Sequence, residues 1–297
     1  MTAVQIVEVG PRDGLQNEAT RLSPTLRAEL VRQLLEAGLP HVEAVSFVHP
    51  ARVPQMSGAE EVLTDVEAST PGAILTGLVL NERGFERALA AGLRRVRYSF
   101  PVTDGFARAN QNTTVAEALE LATHLIGRAK REGLHIGVVL ATSFGCPFDG
   151  RVTTTQTLRV AEQVAQAGPD ELVFADTIGV GAPHAVRELV QAAVAWNRPG
   201  LQLGGHFHNT RNTGYANALA AVEAGATVLD SSVGGLGGCP FAPRATGNIA
   251  TEDLGYLLRE MGLQTGLNLD ALIRTSRWLE EQLGHELPGM LYKAGDF

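Results

Sequence analysis

The chain has 297 residues, 44% hydrophobic and 19% charged, with a formal charge of −8. That balance is enough for a sizeable core and excludes general nucleic-acid binding, which needs a basic surface. No apolar run is long enough to span a bilayer. The opening MTAVQIVEV lacks the basic-then-apolar pattern of a secretory leader, and two cysteines make no disulfide framework, so a reducing cytoplasm is the expected compartment.

Taken in chain order, short β-branched runs alternate with helical patterns. The first run, QIVEV (5–9), leads into GPRDGLQNE, which places Arg12, Asp13, Gln16 and Asn17 just past a strand end. SPTLRAELVRQLLEAG (23–38) reads as a helix. Ser23 caps it, Pro24 suits its first turn, Leu26, Leu30, Leu34 and Leu35 form one apolar face, and Gly38 closes it. VEAVSF (42–47) carries Glu43 between Val42 and Ala44. An unpaired buried carboxylate is costly, so Glu43 is either paired, with Arg12 as a candidate, or functional. AILTGLVL (73–80) and RVRYSF (95–100) are further strands, followed by a helix over 114–132 and a strand IGVVLA (136–141). Cys146, in SFGCPF, reads as a small buried hydrophobe. A helix over 155–167 precedes ELVFA (171–175), which ends at Asp176, a residue that also suits a cap. Then come a helix over 183–196, the strand QLGGHFH (202–208), a helix over 214–224 and the strand TVLDSSV (227–233). A glycine-rich loop, GGLGGCP (234–240), carries Cys239 and leads to Asn248; a thiol there is placed to close over a site and move a proton. Neither this loop nor GVGAP (179–183) has a Walker lysine, so phosphate cradling of that kind is not expected.

Eight strands alternating with helices, and no G-x-G-x-x-G after the first, favour a closed (β/α)8 TIM barrel over a dinucleotide-binding sheet. No linker divides the chain. A single catalytic domain over 1–297 is expected, with 252–297 a helical C-terminal extension packed on the barrel or on a second subunit.

Chemistry in such a barrel sits at the C-terminal strand ends. His206 and His208 are two apart on a strand, so both side chains point the same way. Ring closure sets strand eight beside strand one, bringing Asp13 and Asn248 to the two imidazoles. Two imidazoles, a carboxylate and an amide oxygen with open positions suit Mg²⁺, Mn²⁺ or Zn²⁺. A lone histidine on a strand is more often a hydrogen-bonded core residue, and the acidic partner on the adjoining strand is what raises this pair above that reading. Arg12, next to a ligand, is placed to hold an oxyanion.

EVGPRDGLQNE, VEAVSFVHP with RVPQM, FGCPF, ADTIGVGAP, GHFHNT and GGLGGCPFAPRATGNIATEDL resemble the 3-hydroxy-3-methylglutaryl-CoA lyases, in order over about residues 4–265. These belong to the metal-dependent TIM-barrel lyases and Claisen synthases. The resemblance implies cleavage of 3-hydroxy-3-methylglutaryl-CoA to acetyl-CoA and acetoacetate, as in leucine catabolism and ketone body formation, with Mg²⁺ or Mn²⁺ (Zn²⁺ or Co²⁺ as alternatives). It implies Asp13, His206, His208 and Asn248 as ligands, Arg12 on the thioester oxygen, and Cys239 as the loop acid/base. Glu43, Asp176 and Glu252 become supporting residues, and Arg12, Gln16 and Ser46 contact the substrate. The implied partner is an acyl-CoA, and the implied assembly a homodimer or higher homo-oligomer. Around the mouth the chain departs from familiar members. It reads Asn209-Thr210-Arg211-Asn212 where they have Asp-Thr-Tyr-Gly, PVTDGF over 101–106, and Arg244 before TGN. These differences point to a related branched 3-hydroxyacyl-CoA as the alternative substrate. A Claisen synthase or metal aldolase on an oxo acid, and a catalytically silent scaffold, are the competing functions. The GGLGGCP loop and the complete set of mouth residues favour the lyase.

Overall fold

The eight apolar runs become eight parallel strands closed into a ring: β1 (Gln5–Glu8), β2 (His41–Ser46), β3 (Leu75–Val79), β4 (Arg95–Pro101), β5 (His135–Ala141), β6 (Glu171–Asp176), β7 (Gln202–Phe207) and β8 (Val228–Ser231). The structure, a computed structural model, describes residues 4–238 and 247–297. Neighbours follow chain order, and β8 pairs with β1 to close the barrel, Gln5 opposite Val228 and Glu8 opposite Ser231. This is the (β/α)8 barrel that the alternation of patterns predicts.

The helices form where the sequence signals them. α1 (Pro24–Glu36) starts at Ser23, whose hydroxyl accepts from the Leu26 N–H, and Gly38 follows at φ 88°, a conformation natural to glycine. Three shorter, charge-rich helices, α2 (Ala59–Ser69), α3 (Glu82–Ala90) and α4 (Asp104–Gln111), carry weaker sequence signals. α5 (Val115–Glu132) opens on a capping box between Thr114 and Glu117. α6 (Thr154–Ala167), α7 (Pro183–Val194) and α8 (Gly214–Glu223) complete the outer ring, α7 ending two residues before the expected 196. The tail forms α9 (Thr251–Glu260), α10 (Leu269–Leu283) and α11 (Leu291–Ala294). Among its ties back to the barrel, Asn268 N–H donates to Ala37 C=O at 2.9 Å and Gly289 N–H to Gly234 C=O at 2.8 Å. No helix among the described residues is long and apolar enough to cross a membrane.

The main apolar core, which includes Leu30, Leu34, Val96, Tyr98, Ile136 and Leu229, wraps the outside of the barrel under the helices. The barrel interior is different. Two small apolar clusters lie there, Val7–Val9–Val228 and Val139–Val173–Ala175. Charged groups fill much of the rest, and they position the site.

Candidate active site

At the C-terminal mouth the strand ends deliver three side chains to one point. One ligand-capable atom from each of Asp13, His206 and His208 lies within 4.8 Å of the others. Asp13 follows β1 on a tight turn over Gly10–Gly14, where Asp13 N–H and Gly14 N–H both donate to Val9 C=O. His206 lies on β7, and His208 follows that strand and bridges to Asn248. The His206 and His208 ring centroids are 5.2 Å apart, as same-face i, i+2 positions require.

Below this cluster is a linked set of buried ions. His206 Nδ1 meets Asp230 Oδ2 at 3.1 Å. Asp230 receives Arg97 Nη1 at 2.9 and 3.0 Å. Arg97 Nη1 also reaches Glu43 Oε2 at 3.4 Å, and its Nη2 lies 2.6 Å from Glu171 Oε1. Arg12 Nε donates to Glu43, and Arg12 Nη1 to Asp13 Oδ1 at 2.6 Å. Arg12 and Arg97 thus face Asp13, Glu43, Glu171 and Asp230. Two guanidinium groups face four carboxylates here, with His206 beside Asp230 and burial raising Glu171.

The donor set fits a divalent cation on three counts. Carboxylates outnumber guanidinium groups around it. Asp13 Oδ2 stands 3.9 Å from His206 Nε2 and 4.0 Å from His208 Nε2, too far for hydrogen bonds but a span that two metal–ligand bonds of about 2.1 Å bridge. Asn248 Oδ1 is buried without a partner among the described residues, while its Nδ2 donates to Asp13 Oδ2 and to Leu236 C=O, both at 2.9 Å. Turning that amide by half a rotation presents an oxygen to the cluster. The protonation of Asp13 and His208 supports the same chemistry, while His206 would give up its proton to a bound cation. Burial opposes ionisation of Asp13, but Arg12, His206 and His208 overcome it and hold the carboxyl at about 2. Burial and the neighbouring His206 push His208 down to about 4, which keeps that ring neutral and its lone pair free. For His206, burial is outweighed by the hydrogen bond to Asp230 and the charge of Asp13, which raise it.

The other residues singled out from the sequence fall into three groups. Arg12, Gln16 and Asn17 line the cleft above the cluster, and Glu43 is paired with Arg12 as the sequence suggests. Asp176, Glu252 and Ser46 are buried away from the cleft lining. Asp176 accepts from Val180 N–H at 2.9 Å and Gly181 N–H at 2.8 Å, so it clamps a loop; α7 itself starts at Ala182 without a side-chain cap. Glu252 accepts from Gly234 N–H at 3.1 Å and Ser276 Oγ at 2.8 Å, anchoring the base of the glycine-rich loop. The Ser46 hydroxyl is buried without a partner. Cys239 and Arg244 lie outside the described residues. Arg211, suspected from its departure at the mouth, donates to Ile178 and Gly179 C=O at 3.0 and 2.9 Å, so it braces the loop after β6 and does not line the cleft. Cys146 is buried, and its Sγ accepts from Phe148 and Asp149 N–H in a short hairpin. Arg97, Glu171 and Asp230 escaped sequence reasoning, although each carries the signal that marked Glu43, a charge inside a strand.

The cleft has a volume of about 1120 Å³ and runs outward from the cluster past Phe47, Tyr98 and Val139 to Arg52 and Arg83. Gly238, the last described residue before Cys239, is on its wall, where Asn17 Nδ2 donates to its carbonyl at 3.0 Å.

Comparison with known proteins gives a consistent result. Residues 3–279 match the HMGL-like family. The chain is 45% identical to the (R)-citramalyl-CoA lyase of Chloroflexus aurantiacus, over 99% of this chain and 96% of that one. It is 41% identical to the hydroxymethylglutaryl-CoA lyase of Pseudomonas mevalonii, over 96% and 94% respectively. Among solved structures it resembles an HMG-CoA lyase from Acinetobacter baumannii in complex with coenzyme A and 3-methylmalate, with TM-score 0.92, 38% identity, and coverage of 99% of this chain and 95% of that one.

Proposed function

The chain belongs to the HMGL-like family, and from that premise we propose that it is a divalent-metal-dependent carbon–carbon lyase that splits a branched 3-hydroxyacyl-CoA into acetyl-CoA and an oxo acid. The observation that carries this is the Asp13–His206–His208 cluster set beside Arg12 at the inner end of a cleft. Asp13, His206 and His208, with Asn248 after an amide turn, would hold Mg²⁺ or Mn²⁺. The cation supplies a lowered pKa for the substrate's tertiary hydroxyl and orients it for loss of its proton.

The chain's own groups do the rest. Carbon–carbon cleavage leaves the acetyl thioester as an enolate, whose oxygen needs a fixed donor. Arg12 has Nε and Nη1 committed to Glu43 and Asp13, which fixes the guanidinium plane and leaves Nη2 for that oxygen. Cys239, one residue beyond Gly238 on the cleft wall, is proposed as the acid/base: its thiolate takes the hydroxyl proton as the carbon–carbon bond breaks and returns it to the enolate carbon. The glycine-rich loop would keep water out until that proton arrives, and Asp176 and Glu252 act as the clamps that hold the loops around it.

The first substrate is 3-hydroxy-3-methylglutaryl-CoA, giving acetoacetate. The relative at 45% identity favours a second reading, citramalyl-CoA, giving pyruvate. Both carry a thioester, a methylene and a methyl-bearing tertiary alcohol; they differ by one methylene before the free carboxylate. Purified protein is incubated with each thioester and Mg²⁺ or Mn²⁺, and the fragments are identified. Acetyl-CoA with acetoacetate or with pyruvate is expected, and the co-product names the acyl group. No acetyl-CoA from either overturns the lyase reading, and undiminished turnover after chelation overturns the metal.

A further inference from the structure

We propose that Arg97 is a positioning residue that sets both working parts of the site at once, the ligand His206 through Asp230 and the oxyanion donor Arg12 through Glu43. The inference rests on the metal-lyase reading above. Arg97 lies on β4, on the barrel axis below the mouth, and is 3% exposed. It touches neither the cleft nor the cluster. Its Nη1 is shared between Asp230 and Glu43, and its Nε donates to Glu171 Oε1 at 2.8 Å.

Followed outward, these contacts form a ring. Arg97 joins Glu43, Glu43 joins Arg12, and Arg12 joins Asp13. On the other side Arg97 joins Asp230, which joins His206 Nδ1. The two arms end at Asp13 Oδ2 and His206 Nε2, 3.9 Å apart, the one link in the ring without a hydrogen bond. Positive and negative groups alternate around it. Asp230 bound to Nδ1 leaves Nε2 to the cluster, the arrangement by which an outer carboxylate orients a ligating imidazole. The same guanidinium holds the carboxylate that fixes Arg12. A planar fork with donors on both edges serves three carboxylates, and an ammonium cannot do so in the same place.

The backbone makes room for this. On β5, beside β4, a Cβ at Gly137 would stand 3.0 Å from Glu171 Oε1 and 3.1 Å from Arg97 Cγ. Any side chain there presses on the Arg97–Glu171 pair. The position opposite Arg97 on β4 is thus kept empty where the outer face is tightly filled.

The test uses Arg97→Lys, which keeps the charge and loses the fork, and Gly137→Ala, which keeps every charge and crowds Arg97. Metal-free protein is titrated with Mn²⁺ by calorimetry, and kcat, KM and Tm are measured. The expected result for Arg97→Lys is Mn²⁺ affinity and kcat each lower by about 10-fold or more with KM within about twofold, and Gly137→Ala moves the same two quantities in the same direction. If Arg97→Lys does not fold, Gly137→Ala alone decides. A lowered Tm with Mn²⁺ affinity and kcat unchanged means a purely structural arginine and overturns the proposal. Absence of Mn²⁺ binding by the unaltered protein instead overturns the metal reading, and this proposal with it.

Discussion

The case for chemistry at this barrel mouth turns on single side chains whose partners are already taken. Arg12 is the clearest. Both ends of its guanidinium are committed to carboxylates, so its remaining donor is held in place before any substrate arrives. Preorganised donors of this kind act mainly in the transition state. Arg12→Gln should therefore lower kcat by about 10²-fold or more with a smaller change in KM. Steady-state kinetics on the purified variant decides this, and an effect confined to KM would reduce Arg12 to a substrate-binding contact. Legibility at this scale was uneven for a physical reason. H-x-H and R-D are short patterns whose meaning follows from strand periodicity, and barrel closure supplies their partners. Arg97 and Asp230 stand in strands too, but RVRYSF and TVLDSSV place their charges among apolar neighbours that belong to the outer core. Only closure of the barrel, which sets β2, β4, β6 and β8 around one axis, brings Arg97 to Glu43, Glu171 and Asp230.

Elements show the same division between what is local and what is not. Helix starts with a cap and an apolar stripe, such as Ser23 before α1 and Thr114 before α5, are written in the sequence. α2 and α4 are not, since neither has a side-chain cap, whereas α3 does carry one, with Asn81 Oδ1 accepting from the Gly84 N–H at 2.9 Å. Glu252 is another non-local case. Its place at the start of α9 looks like an acidic first turn, yet it is fully buried against the glycine-rich loop and α10. Burial, aided by Asp253, raises its carboxyl to about 8 from an ordinary 4.5. Between those values the folded state holds a proton that the unfolded chain has released, so stability falls as pH rises through that window. Replacing Glu252 with Gln keeps an acceptor for Gly234 and removes the ionisation. The variant should melt higher than the parent at pH 8, by about 2 °C or more, and the difference should vanish near pH 4.5. Part of the slope should remain, since Glu8 is also buried and raised to about 7. Thermal melts across pH check this, and a difference that is the same at every pH would mean that Glu252 acts through shape alone.

Across the whole molecule, the site sits on the seam where the chain closes on itself. β1 and β8 come from opposite ends of the sequence and pair side by side. Asp13 lies past β1, His206 on β7, and Asn248 beyond β8, so a bound cation would tie together segments more than two hundred residues apart. Acidic groups outnumber guanidinium groups around that seam, so a bound cation adds favourable charge there. Binding there is therefore folding free energy for the barrel as a unit. A ligand that binds only the folded state stabilises it by about 2.7 kcal/mol when present at roughly 100 times its Kd. Mn²⁺ or Mg²⁺ at that excess should raise the Tm of the metal-stripped protein by several degrees in a single transition, and chelation should reverse it. Asp13→Asn removes one carboxylate from the cluster and should abolish most of the shift; it should also lower the metal-free Tm somewhat, because Arg12, His206 and His208 favour the ionised carboxyl in the folded state. The seam account fails if the parent melts at the same temperature with and without the ion, or if the metal shift survives in Asp13→Asn.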